Sequence, residues 1–136
     1  MKITIETKIQ APVDKVWSAW TTPDDIVKWN FASDEWCCPR AQIDLQPGGK
    51  FSYRMEAKDG STWFDFAGEF IAIEENKRME FHLGDNRSVV VNFEKSGDDT
   101  VTLSETFEAE EENSAEQQRR GWQSILDNFK KHVESD

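Results

Sequence analysis

Residues 114–133 read Ser-Ala-Glu-Gln-Gln-Arg-Arg-Gly-Trp-Gln-Ser-Ile-Leu-Asp-Asn-Phe-Lys-Lys-His-Val, and this stretch decides the fold. Trp122, Ile125, Leu126, Phe129 and Val133 fall on one stripe at helical spacing. Ser114 followed by Gln117 fits a capping box, and Glu110, Glu111, Glu112 and Glu116 crowd the start, where negative charge suits the helix dipole. Lys130, Lys131 and His132 stand at the other end, where positive charge is favoured. About 20 residues of helix span ~30 Å, enough to cross a small sheet. The stretch predicts one long amphipathic helix with a sheet to lie against.

Working back from it, the chain between 41 and 109 reads as strand after strand. Pro47-Gly48-Gly49 is a turn signal between residues 43–45 and the alternating Phe51, Tyr53 and Met55. Asp59-Gly60 marks a hairpin, and a long strand from 63 to 74 ends at Glu75-Asn76-Lys77. Met79, Phe81 and Leu83 alternate up to Gly84-Asp85-Asn86; Val89, Val91 and Phe93 alternate next, and Val101, Leu103 and Phe107 form the last strand. At the front, Ile3, Ile5 and Ile9 alternate with polar residues. Pro12 then opens a helix carrying Val13, Val16, Trp17 and Trp20, and Thr22-Pro23-Asp24-Asp25 opens a second, with Ile26 and Trp29 inward. Residues 30–40 show no period and read as a loop. The fold class is α+β: an antiparallel meander, two short helices after the first strand, and one long C-terminal helix.

Composition sets outer limits. The chain has 136 residues, which fits one domain spanning 1–136. Aromatic residues make up 12% of it, nine Phe, six Trp and one Tyr, which argues against a disordered acidic tail. Its four leucines cannot supply a coiled-coil seam. A formal net charge of -11 disfavours nucleic-acid binding, because such a surface repels phosphate. The longest apolar run, residues 70–73, is far short of the ~20 needed for a membrane span. No charged-then-apolar leader opens the chain, so a cytoplasmic location is expected.

The reactive residue types are few. Cys37 and Cys38 are adjacent, so a bridge between them would be strained, and they read as a reduced, incidental pair. His82 faces away from the Met79, Phe81 and Leu83 side, and His132 sits in the last helical turn, so both are expected to be solvated. There is no G-x-S-x-G elbow, H-E-x-x-H helix, glycine-rich phosphate loop or Cys-x-x-Cys pair. No metal site, cofactor or catalytic constellation is expected.

Carboxylates on apolar faces are more informative. Glu105 shares a side with Val101, Leu103 and Phe107, while Asp65 and Glu69 share one with Trp63, Ile71 and Ile73 unless a bulge shifts the register. Such groups are rare unless paired or hydrogen-bonded. They read either as polar anchors in a pocket or as surface groups, Glu69 pairing with Arg78 across the sheet and Glu105 reaching water. Trp17, Trp20 and Trp29 sit at core spacing, whereas Trp36 has no periodic reason to be where it is and is a candidate pocket lid or partner contact. Gly121, inside the long helix, costs ~1 kcal/mol relative to Ala. It reads as close helix-on-sheet packing or as room left for a ligand.

Five motifs in order carry a family resemblance. They are Ala11-Pro12-Val13-Asp14-Lys15-Val16-Trp17, then Trp29, Asp44-Leu45-Gln46-Pro47-Gly48-Gly49-Lys50-Phe51, Gly68-Glu69-Phe70-Ile71-Ala72-Ile73-Glu74 with Arg78, and Gly121-Trp122. Together they resemble the activator-of-Hsp90-ATPase-like proteins of the START-like superfamily, also called the polyketide cyclase and lipid-transport superfamily. The resemblance implies a helix-grip fold, an antiparallel sheet of six to seven strands wrapping the C-terminal helix, with a cavity for an apolar ligand between them. Three functions are consistent with it: binding of a small apolar or aromatic molecule, a polyketide cyclase or aromatase using a cavity carboxylate, and a co-chaperone-like module with a protein partner. The candidate ligand contacts are Trp36, Tyr53, Trp63, Asp65, Phe81, Glu105, Trp122 and Ile125.

Overall fold

Alternating stretches of sequence become seven strands, and the two helical periods near the start and the one at the end become three helices. The computed structural model describes residues 1–135. In chain order the elements are β1 (Lys2–Ile9), α1 (Val13–Thr21), α2 (Pro23–Trp29), β2 (Trp36–Ile43), β3 (Lys50–Ala57), β4 (Trp63–Glu74), β5 (Arg78–Leu83), β6 (Ser88–Gly97), β7 (Thr100–Glu108) and α3 (Ala115–Glu134). The strands form one antiparallel sheet in the order β1-β7-β6-β5-β4-β3-β2, a curled half-barrel consistent with the helix grip. Only β1 breaks sequence order, closing the meander on its far side beside β7, where Ile5 faces Glu105.

One segment departs from the sequence reading. Residues 36–40 are not loop but the first half of β2, with Trp36 opposite Ala57. The register shifts between Cys37 and Arg40, and this bulge, with Pro39 inside it, erases the period-two signal. The turns follow the sequence closely. Asn76 and Asn86 take positive φ, as do Gly48 and Gly60, which have no Cβ to clash there. The Gly48-Gly49 turn also docks on β4, Gly48 N–H donating to Phe70 O and Phe70 N–H to Gly49 O, each at 2.8 Å.

The long helix is started by Ser114, whose Oγ accepts from Gln117 N–H at 3.1 Å. It runs beside β1: Arg119 donates to Thr4 O, Gln123 to Glu6 O and Lys130 to Lys8 O. Leu126, Phe129 and Val133 are buried in the core. At its end His132, rather than being solvated, is half-buried with Nε2 2.8 Å from Asp25 Oδ1, tying α3 to α2. Asn128 adds a bond to Phe31 O. Trp20 and Trp29 close this end of the core around Phe129, with ring centroids 4.9 and 4.8 Å from it, and Trp29 Nε1 donates to Ala19 O. No helix of the described residues is long and apolar enough to cross a membrane.

Candidate functional site

α3 lies along β1, and a space of about 320 Å³ opens between it and the far half of the curled sheet. Its walls are aromatic. Phe51 and Tyr53 of β3, Phe66 and Phe70 of β4 and Phe81 of β5 face it, with Met55 and Met79 between them. Phe51 is the hub, its ring 5.1 Å from Tyr53, 5.2 Å from Phe70 and 5.0 Å from Phe81. The helix contributes Gln118, Trp122 and Ile125. Trp122 leans on both sides of the fold, stacked on Phe107 and edge-on to Phe66 at 5.9 Å. Trp20, Trp29 and Asn30 bound one end, and Arg87, Glu110 and Asn113 form a polar rim.

The polar groups of this space fall into two sets. The rim is internally satisfied. Arg87 Nε donates to Asp85 Oδ2 at 2.7 Å and its Nη1 to Glu108 O. Gln118, buried on the helix stripe, accepts from Glu110 N–H and donates to Glu110 O and Asn113 O, while Asn113 Nδ2 donates to Glu110 Oε1. The segment leading into α3 is thus pinned by a side chain of the helix itself.

The interior is not satisfied. Glu105, 7% exposed, lines the space from β7 and has no hydrogen-bond or ion-pair partner among the described residues. Its in-sheet neighbours are the buried Ile5 and Val91. Burial alone pushes its carboxyl up to about 8. Tyr53 likewise has no hydrogen-bond partner among the described residues, and burial, with a smaller contribution from Cys38, raises its phenol. Asn30 Nδ2 is buried without a hydrogen-bond partner among the described residues. Beside it the Cys38 thiol donates to Arg40 O and is pushed up to about 11 by burial, against the pull of Asn30 and the backbone at Arg40.

The structure gathers Tyr53, Phe81, Glu105, Trp122 and Ile125 around one space and separates the other three expected residues from it. Trp63 and Asp65 stand opposite Glu56 and Arg54 on the outer face, both exposed, with the Arg54 guanidinium 4.1 Å over the Trp63 ring. The inward residues of this part of β4 are Phe64, Phe66 and Gly68, because a register shift between Phe70 and Ala72 divides the strand into two phases. Glu69 is outward as well, opposite His82; Arg78 bonds Glu80 instead. Trp36 is half-buried and meets Phe64 edge-on at 5.9 Å, so it supports the wall without lining the space.

Most of the wall lies outside the contacts expected from sequence, among it Phe51, Phe66 and Phe70 of the sheet and the polar Asn30, Arg87 and Gln118. Gln118 had a signal, since it sits four residues before Trp122 on the apolar stripe. A second concavity, about 520 Å³, lies on the outer face around Gly68 and is lined by sheet and turn residues without a helix over it. Among the described residues no group of three or more His, Cys, Asp or Glu could hold a metal ion.

Comparison with known proteins agrees with this architecture. The family model described as Activator of Hsp90 ATPase homolog 1-like protein matches residues 10–134. The solution structure of the AHSA1-like protein from Aeromonas hydrophila is 44% identical, with a TM-score of 0.93, over 99% of this chain and 93% of that one. A solution structure from Cytophaga hutchinsonii is 45% identical, with a TM-score of 0.85, over 98% and 92%. A crystal structure from Nitrosomonas europaea, 18% identical over 99% and 95%, shares the fold with a TM-score of 0.83. Comparison with the curated proteins gives no match. With the family model spanning nearly all of it and two solved relatives above 40% identity, the chain belongs to the Activator of Hsp90 ATPase homolog 1-like family.

Proposed function

We propose that this protein binds a small apolar or aromatic molecule between α3 and the sheet, with Glu105 as the internal polar anchor. One observation carries the reading: a buried carboxyl without a partner among the described residues lines an aromatic-walled space of about 320 Å³. Pockets for small molecules are typically of this size or larger, mostly apolar, with a few convergent polar groups. An unpartnered buried polar group is costly for folding alone, so its retention needs a compensating contact. A ligand supplies one.

The test is a titration of isotope-labelled protein with 4-phenylbutanol, followed by NMR. Saturable shifts at the Trp122 indole N–H and the methyls of Ile125 and Met55 support the reading. Shifts confined to the outer face around Trp63, or none at millimolar probe, sink it.

A second reading has its own observation. A carboxyl pushed up to about 8 is protonated at neutral pH and can donate a hydrogen bond or a proton to a carbonyl. This suits a cyclase or aromatase acting on a flexible polyketone. Cyclisation of a linear triketone that disappears in Glu105→Gln supports that reading, and a rate equal to the buffer background removes it.

A further inference from the structure

The polar inventory of the pocket narrows the ligand class. Charged or titratable groups face Glu105 from few directions. β1 offers Ile5, β6 offers Val91, and Leu103 and Phe107 flank it on β7. From α3 the pocket receives Gln118, Trp122 and Ile125, and from β3 the un-ionised Tyr53. The rim holds Arg87 and Glu110, but Arg87 is taken up by Asp85 at 2.7 Å and by Glu108 O. Burial is what raises the Glu105 carboxyl. Among the described residues the interior therefore holds one acid, no cation and several aromatic rings.

Anions are poorly served by such a site, since Arg87 at the rim is already paired with Asp85 and the interior group becomes negative when it ionises. A cation is served three ways. A carboxylate without a counter-ion accepts its hydrogen bonds, ring faces attract it, and the net charge of -11 raises its concentration near the surface.

We propose that the pocket selects a protonated primary amine carried on an apolar or aromatic body, the ammonium pairing with the Glu105 carboxylate and the body lying against Phe51, Phe66 and Phe81. This rests on the reading of the pocket as a small-molecule site. The proton balance is fixed by the pairing. At neutral pH the free protein holds Glu105 as the acid, the amine arrives as RNH₃⁺, and the complex holds carboxylate and ammonium. One proton leaves to solvent for each amine bound.

The test compares 4-phenylbutylamine with 4-phenylbutanol, which share a body and differ in the head group. Calorimetry of the intact protein in buffers of different ionisation enthalpy measures proton release. The amine is expected to bind at least ~10-fold tighter than the alcohol at pH 8 and to release about one proton near pH 7. Its affinity is expected to rise from pH 6 to pH 8 by up to ~10-fold per unit. Glu105→Gln should bring the amine-to-alcohol affinity ratio at pH 8 down to about one and abolish the proton release. Should that variant not fold, proton release and the pH slope of the unaltered protein decide the matter. Alcohol binding as tight as amine binding, without proton release, overturns the amine assignment and leaves the small-molecule reading standing. Failure of both probes to bind overturns both. An amine affinity that falls as pH rises through 8 makes the neutral acid the binding form of Glu105, and also overturns the amine assignment.

Discussion

The indole of Trp122 lies flat on the ring of Phe107, their centroids 4.0 Å apart and their planes 7° from parallel. Phe107 is buried in β7 and Trp122 is half-buried in α3, so this stack is where the helix meets the sheet at the edge of the pocket. Truncating Phe107 removes both core volume and the platform under Trp122. Phe107→Ala should cost about 3–5 kcal/mol in urea unfolding. A double-mutant cycle with Trp122→Ala should return a coupling of about 0.5–1.5 kcal/mol. Additive losses would mean that the two rings stabilise the fold independently.

Glu105 makes stability depend on pH in a direction opposite to that of a salt-bridged acid. Its carboxyl is raised from 4.5 to about 8 on folding, so the native protein holds a proton that the unfolded chain releases. Stability should fall as pH rises from about 4.5 to about 8 and level off above. Glu105→Gln, which cannot ionise, should flatten this part of the profile. At pH 9 it should be the more stable protein, by at most about 4–5 kcal/mol. Chemical unfolding at pH 5, 7 and 9 checks it, and parallel profiles for the two proteins would contradict the burial of a neutral acid.

Two glycines should respond in opposite ways to alanine. At Gly121 a Cβ meets nothing within 4 Å, so close helix-on-sheet packing does not account for it. Gly121→Ala should stabilise α3 by about 0.8–1 kcal/mol through helix propensity alone. At Gly68 a Cβ would collide with His82 O on β5 and lie 2.9 Å from Phe51 Cζ, the hub of the aromatic wall. Backbone cannot step aside as a side chain can, so Gly68→Ala should lose about 1–3 kcal/mol. Thermal melts of the two variants test the pair, and a shift of the same sign in both would refute the contrast.

The residues that were legible from sequence are those governed by one unbroken period. Phe81, Glu105, Trp122 and Ile125 sit on uninterrupted alternations or on a single helical stripe, and each faces where its period points. Trp63 and Asp65 were misplaced because their strand carries a bulge near Ile71: the phase set by Ile73 does not extend back to residue 65. Trp36 was misplaced for the same reason, by the bulge at Pro39 in β2. A bulge leaves little local trace, since it is set by how two strands pair over a distance. Arg87 and Asn30 were invisible in another way, because a turn residue and a helix-end residue become pocket residues only when the sheet curls towards α3.

The outer-face placement of Trp63 yields a discriminating prediction. Trp63 is 54% exposed and its ring is covered on one side by Arg54, whose Nε also donates to Glu56 Oε1 at 2.9 Å. An exposed cation–π contact of this kind contributes about 0.5–1 kcal/mol, and an exposed ion pair no more than that. Trp63→Ala and Asp65→Asn should therefore lower stability by about 1 kcal/mol or less and leave the affinity for 4-phenylbutanol within about twofold. Phe66, one residue further along the same strand, faces the pocket and meets Trp122, so Phe66→Ala should weaken the same probe at least ~10-fold, equivalent to about 1.4 kcal/mol. Parallel titrations of the three variants read the two faces of β4 against each other. Loss of binding in Trp63→Ala with binding retained in Phe66→Ala would put the ligand on the convex side of the sheet and reverse the assignment.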